Sequence, residues 1–93
     1  MIRIEGARAE VSGPMTMAGA AVLLAEGEAA VRSDALIFDM SGVGELDSSS
    51  LAVVFGWMRA ARAAGKTVRL FNPPQNLLSL AEVYGVTDLL PSH

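Results

Sequence analysis

Ninety-three residues with a formal net charge of −3 are read as a single small acidic domain, 1–93. Seven Lys and Arg against ten Asp and Glu argue against nucleic acid, which needs clustered cations, and the absence of cysteine excludes disulfides, thiolate chemistry and cysteine-based metal sites. A hydrophobic fraction of 52% with mean hydropathy +0.41 suggests either a surface covered by something else or alanine-rich helices that inflate the score.

Ile2 and Ile4 alternate with Arg3 and Glu5, the period-2 pattern of a half-buried strand. Gly6-Ala7 turns the chain into a second strand, Arg8 to Ser12, and Gly13-Pro14 reads as a break. Thr16 offers a cap for a helix from Met17 to Arg32, with Met17, Ala20, Ala21 and Leu24 sharing one side. Gly19 and Gly27 weaken it by about 1 kcal/mol each relative to Ala. The stretch from Met17 to Ala25 is apolar but follows two strand-like segments and runs into a charged turn, so it is not read as a signal sequence. No run reaches the roughly 18–20 apolar residues of a membrane span, and a cytoplasmic domain without direct membrane insertion is expected.

Leu36 to Met40 reads as the third strand, SGVGEL as a glycine-containing loop, and Asp47 as the cap of a helix running to Ala64. Gly65 is expected to end that helix in the left-handed conformation. Thr67 to Phe71 forms the fourth strand, Asn72-Pro73-Pro74 breaks it, and Gln75 to Tyr84 forms a last helix closed by Gly85. Strands and helices alternating through short links predict an α/β domain with right-handed crossovers. Its four-stranded sheet is mixed and mainly parallel, with an antiparallel N-terminal edge and three helices packed on it.

Enzyme readings lack parts. The one histidine, His93, is the last residue, far along the chain from the serine run, so a Ser-His-Asp arrangement is not expected. Glu45 and Asp47 are two carboxylates at a helix start and read as caps rather than a metal site. SGVGEL lacks the GK[ST] of a phosphate loop and the spacing of a dinucleotide site. No cofactor, no metal and no catalytic residue is expected.

The helix after Asp47 carries the candidate site. At about 100° per residue, Leu51, Val54, Phe55 and Met58 share one arc and are expected to face the sheet. Ser48 lies at the margin of that arc, and Ser49 projects roughly opposite the core. Asp47 and one serine are accounted for by capping; a second hydroxyl is then free for a kinase or a partner, and position favours Ser49. Val53, Trp57, Ala60 and Ala64 form a further apolar stripe, so the helix is apolar nearly all round. Either Trp57 is tucked under a neighbouring helix or loop, or the stripe is a protein interface with Trp57 as its anchor. The interface is the reading adopted, with partner-binding residues Asp47, Ser48, Ser49, Val53, Trp57 and Ala60.

The stretch from Leu36 to Ala64 resembles the signature of STAS domains, in which an apolar strand ending in Asp is followed by a loop and by Asp-Ser/Thr-Ser/Thr-Gly-Leu opening a helix. Asp39, then Asp47, Ser48, Ser49, Ser50 and Leu51 fall on it in order, with Ser50 where the family usually has Gly. Leu77 to Pro91 (LLSLAEVYGVTDLLP) is similar to the last helix and tail of the small STAS subunits of Mla-type phospholipid-transport ABC systems. The resemblance implies a non-catalytic binding subunit on the cytoplasmic ATPase of such a complex, with Ser48 as the contact hydroxyl. Its alternative is an anti-sigma factor antagonist, partnered by a kinase-type anti-sigma factor and switched by phosphorylation of Ser49.

Overall fold

A computed structural model describes residues 1–91. Its elements are β1 (Ile2–Glu5), β2 (Arg8–Met15), a 3-10 turn (Met17–Gly19), α1 (Ala20–Arg32), β3 (Ile37–Leu46), α2 (Ser49–Ala63), β4 (Arg69–Phe71), α3 (Gln75–Val83) and a second 3-10 turn (Thr87–Leu89). One sheet runs in the order β1-β2-β3-β4, with β1 antiparallel to β2 and the other pairs parallel, which is the expected mixed α/β architecture. Side chains alternate across it. Ala9, Val11, Phe38, Met40 and Leu70 are buried in the core, whereas their neighbours Arg8, Ser41 and Arg69 are exposed.

The strands run further than their composition suggests. Gly13-Pro14 does not break β2, which continues to Met15 with Gly13 at φ +85°. SGVGEL is not a loop but the second half of β3. Pairing shifts register twice, between Glu10 and Ser12 and between Gly13 and Met15, so β3 advances one extra residue at each step. Gly42 sits at the first shift, where a Cβ would stand 3.0 Å from the carbonyl of Val11. The extension ends with the Asp47 N–H donating to the Met15 carbonyl at 3.3 Å. That bond brings the head of α2 beside the start of the 3-10 turn.

The two helices behind the sheet bury different faces from those expected. Met17 is 76% exposed and Ala21 is exposed, while Leu23, Gly27, Ala30 and Val31 are buried. The cause is the 3-10 turn, which occupies the first three positions and lets α1 begin only at Ala20. Thr16 makes no side-chain cap bond. In α2, Leu51 and Val54 face the core as expected and Phe55 and Met58 are half-buried, but Val53, Gly56 and Trp57 are buried as well.

Trp57 is fully buried, and Val53 is 3% exposed, which corrects the expectation that they form an outward stripe. The indole N–H donates to the Leu23 carbonyl of α1 at 3.1 Å, and the ring centroid lies 4.6 Å from that of Phe38 on β3. The helix is apolar nearly all round because its own chain covers it on two sides, the sheet on one and α1 on the other. Gly65 (φ +72°) and Gly85 (φ +68°) end α2 and α3 in the left-handed conformation, as expected. In each case a following N–H reaches back, Lys66 to Ala61 at 2.7 Å and Val86 to Ala81 at 2.9 Å.

Candidate functional site: the Asp47 junction

Asp47 ties two helix starts together. Its Oδ1 accepts the Ser49 N–H of α2 at 2.9 Å, and its Oδ2 accepts the Met17 N–H of the 3-10 turn at 3.1 Å. These are donors that a helix start leaves without intrahelical partners. The Met17 N–H first, and then the Ser49 N–H, hold the Asp47 carboxyl below the ordinary aspartate value. The residue expected to cap one helix therefore also caps a second segment, whose Met17 lies 30 positions before it.

The three serines behind it separate by depth. Ser50 is fully buried, and its hydroxyl donates to the Asp47 carbonyl at 2.7 Å, so the position usually held by Gly in the STAS signature accommodates a side chain here. Ser49 is half-buried, and its hydroxyl also faces the Asp47 carboxylate. Ser48 is exposed and has no hydrogen-bond partner for its hydroxyl among the described residues. The expectation that Ser49 projects furthest outward is thus corrected: Ser48 does. Ser48 already has helical φ (−62°) and ψ (−20°), so the helical angles hold; Ser49 is covered because its face of α2, shared with Val53 and Gly56, is the one that α1 packs against.

Of the six expected partner-binding residues, Asp47 and Ser48 lie on the surface, Ser49 and Ala60 are half-buried, and Val53 and Trp57 are inside. What the sequence reading missed is the ground beside Ser48. A shallow groove of about 410 Å³ separates the head of α2 from the end of α3, lined by Ser48, Leu51, Ala52, Phe55, Tyr84 and Val86. Tyr84 is 58% exposed, and the adjacent Val83 80%. The available signal was the closing YGV of the last helix, which sets an aromatic residue directly before a helix-ending glycine.

Asp39, at the other end of the signature, plays a structural part. Its Oδ1 accepts the Ser41 N–H at 3.0 Å and the Asn72 side-chain N–H at 3.2 Å, while Oδ2 lies 3.6 Å from the Arg8 guanidinium. The Ser41 bond leads in holding its carboxyl below the ordinary value. Among the described residues, no group of three His, Cys, Asp or Glu could hold a metal ion, and no helix is long and apolar enough to cross a membrane. His93 lies outside the described residues.

The family described as "Mlab, STAS domain" matches residues 2–91. The intermembrane phospholipid transport system binding protein MlaB of Haemophilus influenzae is 35% identical over 51 residues, a stretch that spans 55% of this chain and about half (49%) of that protein. Among solved structures, the anti-sigma factor antagonist SpoIIAA in its unphosphorylated form superposes with a TM-score of 0.67 at 18% identity, covering 99% of this chain and 84% of that one. The phosphorylated form of SpoIIAA, a Bacillus cell fate determinant, gives 0.66 at 17% identity, covering 100% and 89%. At such identities these likenesses speak for the fold.

Proposed function

This chain belongs to the STAS domain family, and we propose that within it the protein is a non-catalytic binding subunit docking on the cytoplasmic ATPase of a phospholipid-transport ABC complex. The observation that carries this reading is the family match over residues 2–91, whose description joins the STAS fold to Mlab. The partial relationship to a phospholipid-transport binding protein agrees with it. The geometry supports a contact role: Ser48, with an unpartnered hydroxyl, stands at the head of α2 beside an apolar groove. Asp47 holds that corner in one conformation, so little ordering entropy is left to lose on binding. In this reading the protein is cytoplasmic and reaches the inner membrane only through its partner. It acts by favouring the partner state it binds more tightly.

Affinity purification of the tagged chain from native lysate, followed by identification of the bound protein, tests this. An ABC ATPase is expected. Recovery of a kinase-type anti-sigma factor instead would decide for the second reading, an antagonist switched by phosphorylation of Ser49. The observation favouring that reading is the pair of adjacent hydroxyls, Ser48 and Ser49, at the start of α2. A phosphate on Ser49 would add about −1.5 to −2 charge beside the Asp47 carboxylate and disturb the junction.

A further inference from the structure

At the opposite end of α2 from Asp47, a pocket of about 520 Å³ opens between the tail of that helix, the start of β4 and residues 89–91. Its volume is within the roughly 300–1,000 Å³ of small-ligand pockets. Arg62, Lys66 and Arg69 line it, three of the seven cations of an acidic chain, and no described carboxylate does. Met58, Val68, Leu90 and Pro91 supply an apolar wall. Lys66 is committed: its ammonium donates to the Val31 carbonyl at 3.0 Å and pairs with Asp34, which leaves one of its three N–H donors. Arg62 and Arg69 are exposed, and neither has a hydrogen-bond or ion-pair partner among the described residues. On the sheet, by contrast, Arg3 is neutralised by Glu5 and Glu10, and Arg8 by Asp39.

We propose that this pocket binds the phosphate of a small amphiphile, a phosphomonoester carrying an apolar substituent. Two guanidinium groups offer planar N–H forks suited to phosphate oxygens, and their two charges match the roughly −1.5 to −2 of a monoester at neutral pH. A carboxylate would engage one fork and leave the other unpaired. The Lys66 ammonium, fixed by Val31 and Asp34, adds a third cation. The apolar substituent leaves water by lying against Met58, Val68 and Leu90. Two features oppose an anion here. Asp88 precedes the lining Leu89 in sequence, though it is not itself in the lining. The carbonyl end of α2 reaches the same place. Its last carbonyls are occupied, however: those of Ala60, Ala61 and Arg62 accept N–H groups from Ala64, Lys66 and Gly65. The site is separate from the Asp47 corner and does not depend on which protein docks there.

Four probes, each titrated into the ¹⁵N-labelled chain, test this: inorganic phosphate, hexyl phosphate, hexanoate, and dihexanoyl phosphatidic acid below its micelle concentration. Hexyl phosphate is expected to shift the amides of Lys66, Thr67, Val68 and Leu90. It should bind at least about tenfold more tightly than inorganic phosphate, which lacks the apolar part, and than hexanoate, which lacks the phosphate. Arg62→Gln with Arg69→Gln should weaken it by a similar factor without lowering the melting temperature, because both side chains are exposed. Binding of the phosphatidic acid at least as tight as that of hexyl phosphate assigns the site to a lipid headgroup, and weaker binding to a single-chain phosphate ester. Equal affinity for hexyl phosphate and either control, no binding, or shifts centred elsewhere would overturn the proposal. So would an unchanged affinity in the double variant. ATPase capture by that variant should match the wild type; its selective loss would give these arginines to the partner interface and overturn the site. A wild-type chain that captures no ATPase, yet binds hexyl phosphate, overturns the ATPase reading and leaves the site.

Discussion

The indole of Trp57 occupies the space that a side chain at position 27 would need. A Cβ built on Gly27 would stand 1.9 Å from the indole nitrogen, and that nitrogen is held by its bond to the Leu23 carbonyl at 3.1 Å. Phe38 lies against the ring, with centroids 4.6 Å apart. The glycine that weakens α1 as an isolated helix is what allows α1 and α2 to close on the tryptophan.

Gly27→Ala is therefore expected to destabilise the domain, although the same change in an exposed helix interior gains about 1 kcal/mol. Overpacking should cost about 1–3 kcal/mol net, and more if the ring cannot move. Gly56→Ala is the control. Its Cβ would meet the Leu24 Cδ1 at 2.3 Å, the free tip of a flexible side chain. Circular dichroism melts of both variants check the order, and Gly56→Ala melting earlier than Gly27→Ala would refute it.

Trp57→Ala should cost about 3–5 kcal/mol of stability, the range for truncating a buried aromatic. Val53→Asp should prevent folding, because it places an unpaired charge in a closed core. Partner capture per folded molecule should not change in Trp57→Ala. A selective loss of capture with an unchanged melt would return Trp57 to the interface.

Asp47→Ala should lower the melting temperature more than Asp47→Asn. The alanine removes both acceptors, whereas the asparagine keeps one carbonyl oxygen for either Ser49 or Met17. Amide exchange should rise at Met17 and Ser49 in Asp47→Ala. Protection unchanged at Met17 would show that the 3-10 turn does not depend on this carboxylate.

Acid sensitivity follows from two carboxylates. Asp47, through the N–H groups of Met17 and Ser49, and Asp39, chiefly through that of Ser41, both titrate below the ordinary value. A depressed folded pKa means that the unfolded chain binds protons first. The contribution is fully present above the unfolded pKa of about 4 and is lost as pH falls through the folded values. Urea midpoints should therefore hold from neutral pH to about 4 with respect to these two groups, and then decline. Asp39→Asn and Asp47→Asn should each flatten that acid limb, and an unaltered limb in both would remove them as its cause.

Much of the fold was legible because its signals are local. The alternation of Ile2 and Ile4 with charged neighbours, the cap at Asp47, and the left-handed glycines after α2 and α3 depend on residues within a turn or two. So does the Asp-Ser-Ser run that marks the family. Three features were settled only by segments distant in sequence. SGVGEL is a strand because β2 lies beside it to pair with, and nothing in two glycines announces a partner some 30 residues earlier. Trp57 is core because α1 presents a glycine and a carbonyl to it, while helical angles alone placed it about 120° from Leu51 and outside the sheet-facing arc. The Asp47 carboxylate has two oxygens, and the sequence by itself determined the bond of one, to the neighbouring Ser49 N–H. The other reaches Met17 only because β2 and β3 end side by side, an arrangement set by sheet register rather than by any local propensity.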